Sequence, residues 1–209
     1  MPSRRVIALA ACAIALPAAA LAAPPQPTQV TIGVSSGKVT FGKPVVVSGT
    51  TAANTAVTLR GDAFPYNNSF AQVAKTTSDA TGAYSFTVTP DSSTHYRAEV
   101  KKNKSAIASV LVRWKVTRSV STKHPKRGKR VLFTGTVSPA HTGGTVEIQR
   151  RRSGVYRTVR TATLAAASPT SSSYSVRVRV RRTGFYRARV ESDGAHEAGN
   201  SRRVKLTVR

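Results

Sequence analysis

The chain has 209 residues, with 33 Lys and Arg against 8 Asp and Glu and a single cysteine, Cys12. That length suffices for one or two domains, and one thiol excludes a disulfide framework. A net charge of +25 bears on solubility and on association with polyanions, not on fold.

Arg4 and Arg5 precede an apolar run from Val6 to Leu21 that ends in Ala20-Leu21-Ala22, the pattern of a cleavable signal peptide over residues 1–22. Cut after Ala22, the chain starts at Ala23; cutting one residue later would place Pro24 behind the scissile bond. At 16 residues, interrupted by Pro17, the run falls short of the roughly 20 that a spanning helix needs. Leu9-Ala10-Ala11-Cys12 matches a lipoprotein cleavage box by residue type, but the apolar run before it is too short and continues past it. Without a second apolar run or a wall-sorting motif, the expected product is secreted, and released or held non-covalently at the wall. Its free thiol leaves with the signal peptide. Residues 23–28 are Pro-rich and read as a disordered lead-in.

From Val30 the chain repeats itself. Val30-Thr31, Val34-Ser35, Gly42-Lys43 and Gly49-Thr50 recur 86 residues later as Val116-Thr117, Val120-Ser121, Gly128-Lys129 and Gly135-Thr136. Further on, Tyr84-Ser85 and Tyr96-Arg97-Ala98 recur as Tyr174-Ser175 and Tyr186-Arg187-Ala188, now 90 residues later. An offset that changes only between matched segments places the length differences in loops. Two domains follow, 29–113 and 114–209. No flexible spacer separates them: Val110-Leu111-Val112-Arg113 runs through Trp114 into Lys115-Val116-Thr117, so a stiff pair with Trp114 sealing the junction is predicted. Charge divides unevenly, nine Lys and Arg against four acids in 23–113 and twenty-two against four in 114–209.

Within the matched segments apolar residues alternate with polar ones. Val176, Val178 and Val180, then Tyr186, Ala188 and Val190, then Val204, Leu206 and Val208 read as half-buried strands. Val, Thr, Tyr and Phe fill them, and Gly, Pro, Asn and Ser clusters separate them, so propensity and turn chemistry agree. No segment from Ala23 onward sustains a 3.6-residue period. The predicted fold is all-β, each repeat an antiparallel two-sheet sandwich.

The segments Gly128 to Pro139, Val146 to Arg150, Tyr156 to Val159, Phe185 to Val190 and Asp193 to His196 together resemble bacterial immunoglobulin-like, fibronectin-III-like repeats of proteins secreted by high-GC Gram-positive bacteria. The resemblance covers both repeats and implies tandem immunoglobulin-like sandwiches. Asp79-Ala80-Thr81-Gly82-Ala83-Tyr84 looks like the tight Asp-x-x-Gly-x-Tyr turn of such repeats. The second repeat has Pro169-Thr170-Ser171-Ser172 there, for which a longer, looser turn is expected. Tyr96 and Tyr186 look like the sandwich's tyrosine corner, a phenol that reaches back to a backbone group.

Catalytic raw material is thin. His95, His124, His141 and His196 stand apart from one another, with no metal-ligand spacing among them. Asp193 and His196 lack a nucleophile, Asp79 and Asp91 fall short of a calcium cluster, and no phosphate-cradling Gly-rich loop appears. The expectation is that the chain is not an enzyme and takes no cofactor or metal.

What remains is arginine on strands. With Tyr186, Ala188 and Val190 inward, Arg187 and Arg189 face water. Inward Val204, Leu206 and Val208 do the same for Arg203, Lys205 and Arg209. Arg151, Arg152 and Arg157 are expected to extend this polyanion-binding face, with Arg177, Arg179 and Arg181 on the other sheet. Guanidinium forks in a row suit phosphate or carboxylate polymers. Lys123 to Arg130 is a further basic run, read as a solvated turn. Nucleic acid is the less favoured polyanion, because few aromatics accompany these cations.

Phe64, Tyr66 and Phe70 crowd one loop and offer an alternative glycan-stacking platform. Three expectations result: a secreted binding or spacer module adhering to anionic cell-envelope polymers through the second domain; a structural or protein-partner module; and a carbohydrate-binding module using the aromatic loop.

Overall fold

The computed structural model describes residues 29–209. The signal peptide over 1–22 and the lead-in over 23–28 lie outside the described residues. Every regular element among the described residues is a strand.

In the first unit these are β1 (Gly33–Val34), β2 (Lys38–Thr40), β3 (Val45–Thr50), β4 (Ala56–Ala63), β5 (Ala71–Thr77), β6 (Ala83–Val88), β7 (Thr94–Val100), β8 (Asn103–Lys104) and β9 (Ala108–Arg113). One sheet runs β1-β3-β6; the other runs β2-β9-β7-β4-β5, with β8 on β7. All pairs are antiparallel except β2 with β9. Alternation does what the sequence demands: Val45, Val47, Tyr84, Phe86 and Val88 turn in from one sheet, and Val57, Leu59, Tyr96, Ala98, Val100 and Val110 from the other.

The second unit comprises β10 (Lys115–Val116), β11 (Ser119–Val120), β12 (Arg130–Ser138), β13 (Thr145–Arg152), β14 (Val155–Thr163), β15 (Ala165–Ser168), β16 (Ser171–Arg179), β17 (Gly184–Val190), β18 (Gly199–Asn200) and β19 (Val204–Leu206). Its sheets are β10-β12-β16-β15, with β11 on β12, and β14-β13-β17-β18, with β19 on β17. This is the two-sheet strand order of an immunoglobulin-like sandwich. Phe133, Ile148, Leu164, Val131, Val137 and Leu206 fill the core and are essentially solvent-free.

Two local expectations are corrected. Pro169 and Thr170 form a tight two-residue connection, because Ser168 pairs with Ser171 across the β15–β16 hairpin. The turn is short because proline presets the bend and the Ser168 and Ser171 hydroxyls, 2.8 Å apart, close it. The phenols that reach back to backbone are Tyr84, onto the Thr31 carbonyl, and Tyr174, onto that of Thr117 at 2.8 Å. Tyr96 and Tyr186 are simply buried core. The Asp79 turn forms as expected, its carboxylate accepting from the Thr81 and Ala83 amides at 2.8 and 3.0 Å. The Thr81 hydroxyl and those two amides hold the Asp79 carboxyl below its ordinary value.

At the junction a loop of the second unit clips onto the first. The Glu197 amide donates to the Val112 carbonyl at 2.7 Å, and the Ser93 amide to the Ala195 carbonyl at 2.9 Å. His196 Nε2 donates to the Asp91 carbonyl at 2.9 Å, and Lys38 Nζ pairs with Glu197 at 2.7 Å. Trp114 is 2 % exposed, buried at the junction. Its indole N–H donates to the Glu191 carbonyl at 3.0 Å, and its ring lies between His141 and His196.

Candidate anion-binding surface

β17 places Arg187 and Arg189 on the outer face of its sheet, as alternation requires, but neither is free. Arg187 Nε donates to Gln149 Oε1 at 2.9 Å, and its guanidinium lies 3.9 Å from the centre of the Tyr156 ring. Arg189 forks onto Glu191 with contacts of 2.5 and 2.7 Å. That bond holds the Glu191 carboxyl below and the Arg189 guanidinium above its usual range. Glu147 stands directly across from Arg189 and accepts from Gln149 and Thr158. The centre of the expected face is therefore internally matched in charge.

Its surroundings divide. Arg203 and Lys205 are exposed beside β17, Arg203 with its guanidinium 5.0 Å from the Phe185 ring centre. Arg151 pairs with Tyr156 and shares the outer face. Arg157 pairs with Arg150, which in turn pairs with core-facing Tyr186. Directly opposed residues share a face, so Arg157 lies on the other side, and so does Arg152, two residues after Arg150. Neither extends the predicted face as expected. Arg209 lies at the end remote from the junction, where its carbonyl accepts from the Arg127 amide.

Most of the second unit's cations without an acidic partner gather at that distal end. Backbone bonds tie Gly128 to Val180, Lys129 to Val180, Thr207 to Lys123 and Arg209 to Pro125. The Arg150 guanidinium bonds the Thr183 carbonyl at 3.0 Å. Four stretches remote in sequence, 123–130, 150–155, 179–184 and 205–209, thus converge. None contains Asp or Glu. A recess of about 740 Å³ there is lined by Arg127, Arg150, Arg151, Arg152, Arg181 and Arg182 with Ser153. The unit's four carboxylates, Glu147, Glu191, Asp193 and Glu197, lie toward the junction: Glu147 faces Arg189 near the end of β17, and the other three sit in or beside the clip. Sequence reasoning took the 123–130 run as an ordinary turn; the absence of acids from all four stretches was the available signal.

The aromatic loop is not one platform. The Tyr66 ring stacks on His95 at 3.9 Å and meets Phe64 edge-on. Phe64 in turn abuts Gly194 of the clip, where φ is +90° and an added Cβ would come within 2.9 Å of the ring. Phe70 lies apart, 4.1 Å beneath the Arg97 guanidinium. Asp193 accepts from the His196 amide at 2.7 Å and so closes a turn.

No family model and no curated protein matches the chain. Among solved structures it is similar to a tetra-tandem repeat from the extending region of a large adhesion protein, at 20% identity and a TM-score of 0.37, covering 86% of this chain and 49% of that one. It is also similar to red sea bream transglutaminase, at 13% identity and a TM-score of 0.41, covering 88% of this chain and 32% of that one. The chain thus spans about half and about a third of their lengths. The expectation that the chain is not an enzyme is corrected by the second likeness: a sandwich poor in catalytic groups has an enzyme among its structural neighbours. At these TM-scores neither likeness assigns an activity.

Proposed function

We propose that the chain is an extracellular adhesion or spacer module of a bacterial envelope, and that its second unit holds anionic polymers through its distal end. The observation that carries this reading is charge segregation along the unit. Four converging stretches supply only cations, while all four carboxylates sit toward the junction. A polymer laid on that end displaces counterions from many guanidinium groups at once, so binding is strong at low salt and falls steeply as salt rises. The junction clip supports the spacer role, since it fixes the direction in which the cationic end points.

Retention of the full chain on purified cell walls, eluted by stepped salt, tests this. Replacing Arg151, Arg152, Arg181 and Arg182 by Ser is expected to move elution to much lower salt. Replacing Lys43, Lys75, Lys101 and Lys102 of the first unit by Ser removes the same charge elsewhere and is expected to move it little. Equal shifts for the two variants would remove the proposal.

A further inference from the structure

We infer that the second unit holds a linear, base-free phosphodiester chain in the cleft between the edges of β14 and β16. This inference rests on the adhesion reading above and names the ligand of the same cationic end. β15 pairs with β16 only over Ser171 to Ser173, so the rest of β16 toward Arg179 is an open edge; β14 is the outer strand of the other sheet. Between these edges lies a cleft of about 330 Å³ with Arg130, Arg160, Arg177 and Arg179 around Val159 and Val178. No acid lines it.

Arg130 and Arg179 are cross-strand partners, and Arg177 lies two residues along β16. The strand rise sets Arg177 and Arg179 about 6.6–6.8 Å apart. Arg160 approaches from the other sheet, so guanidinium groups stand on both walls. Arg179 is held in place by its bond from Nε to the Gly128 carbonyl at 3.0 Å.

A phosphodiester carries its charge on two unesterified oxygens of a tetrahedral centre, which point to different sides and can accept from both walls together. A carboxylate has its two oxygens in one plane and is satisfied by a single guanidinium fork. The valines suit the apolar links between successive phosphates. Beyond Arg179 the chain continues past Arg181 and Arg182 into the distal recess. Tyr156 and Phe185 carry Arg187 and Arg203 over their rings and so offer bases little open face to stack on. The same charges also keep two open edges from pairing with another chain.

Titration of the full chain with poly(glycerol phosphate), with polyglutamate of equal charge number and with oligothymidylate tests the assignment. Poly(glycerol phosphate) is expected to bind about tenfold tighter than polyglutamate, the scale of one charge-assisted contact that the carboxylate cannot make. Arg160→Lys with Arg177→Lys keeps the charge but removes the fork that faces β16 from β14 and one of those on β16. It is expected to erase that preference by weakening poly(glycerol phosphate) more than polyglutamate, whose carboxylates still find the single forks of Arg130 and Arg179. Both side chains are exposed, and an unchanged unfolding midpoint confirms that the variant folds. Equal binding of the two polymers by the parent chain, a preference that survives the lysine pair, or tighter binding of oligothymidylate would each overturn the assignment. If all polymers bind alike and all are lost in Arg181→Ser with Arg182→Ser, adhesion stands and the cleft assignment falls. Binding of none takes down both.

Discussion

The Tyr174 hydroxyl donates to the Thr117 carbonyl at 2.8 Å, directly over Gly135. Gly135 pairs with Tyr174 across β12 and β16, as Gly49 pairs with Tyr84 in the first unit. A Cβ at residue 135 would stand 2.3 Å from the Thr117 oxygen and 2.7 Å from the phenol oxygen. The repeated Val-Thr, Gly-Thr and Tyr-Ser segments are thus the parts of one latch, made twice.

Breaking the latch is costly from either side. Tyr174→Phe leaves the Thr117 carbonyl without its phenol donor and is expected to cost about 1–3 kcal/mol. Gly135→Ala forces the backbone of Thr117 and the tyrosine apart, with an expected cost of about 1–3 kcal/mol from overpacking. Adding Tyr174→Phe to Gly135→Ala does not restore stability, because the contact with the Thr117 oxygen persists. Urea denaturation of the three variants checks both costs and the lack of rescue.

The same phenols set an alkaline limit. Burial pushes Tyr84 up to about 12 and raises Tyr174 as well. Both groups hold their proton more tightly folded than unfolded, so their contribution is complete below about pH 10, the unfolded value. It is lost as pH rises through the folded values. Unfolding midpoints measured from neutral to strongly alkaline pH are expected to fall above pH 10, and to fall less in Tyr84→Phe and Tyr174→Phe relative to their own neutral values.

At the junction, backbone contacts outweigh the ion pair. Lys38 and Glu197 are 35% and 40% exposed, so Glu197→Gln is expected to cost at most about 1 kcal/mol. Gly199→Ala puts a Cβ 2.2 Å from the Trp114 carbonyl oxygen and is expected to cost about 1–3 kcal/mol. Trp114 is the chain's one tryptophan. Its fluorescence is expected to shift to the red in Gly199→Ala and to stay in place in Glu197→Gln.

Salt dependence counts the contacts at the distal end. With roughly 0.7 in the slope of log affinity against log salt per phosphate contact on a single strand, Arg151→Ser, Arg152→Ser, Arg181→Ser and Arg182→Ser together are expected to flatten the slope by about 3. Arg187→Ser and Arg189→Ser, whose side chains serve Gln149, Tyr156 and Glu191, are expected to change it little. Polyanion titrations at stepped salt read both.

The sequence by itself determined which side chains enter the cores. Val178, Val180, Tyr186, Ala188, Val190, Val204 and Leu206 are buried where period two puts them, and Arg187, Arg189, Arg203 and Lys205 point outward. Alternation is local, fixed by the backbone of each strand, so it is legible without the fold. What an outward residue meets is not local. Only register across strands brings Gln149 and Tyr156 to Arg187, and only the Arg150–Arg157 pairing turns Arg157 to the other face. Likewise, the Tyr84 and Tyr174 phenols find carbonyls 53 and 57 residues away. Four cationic stretches likewise become one surface because sandwich topology returns each to the same end, which no single stretch records.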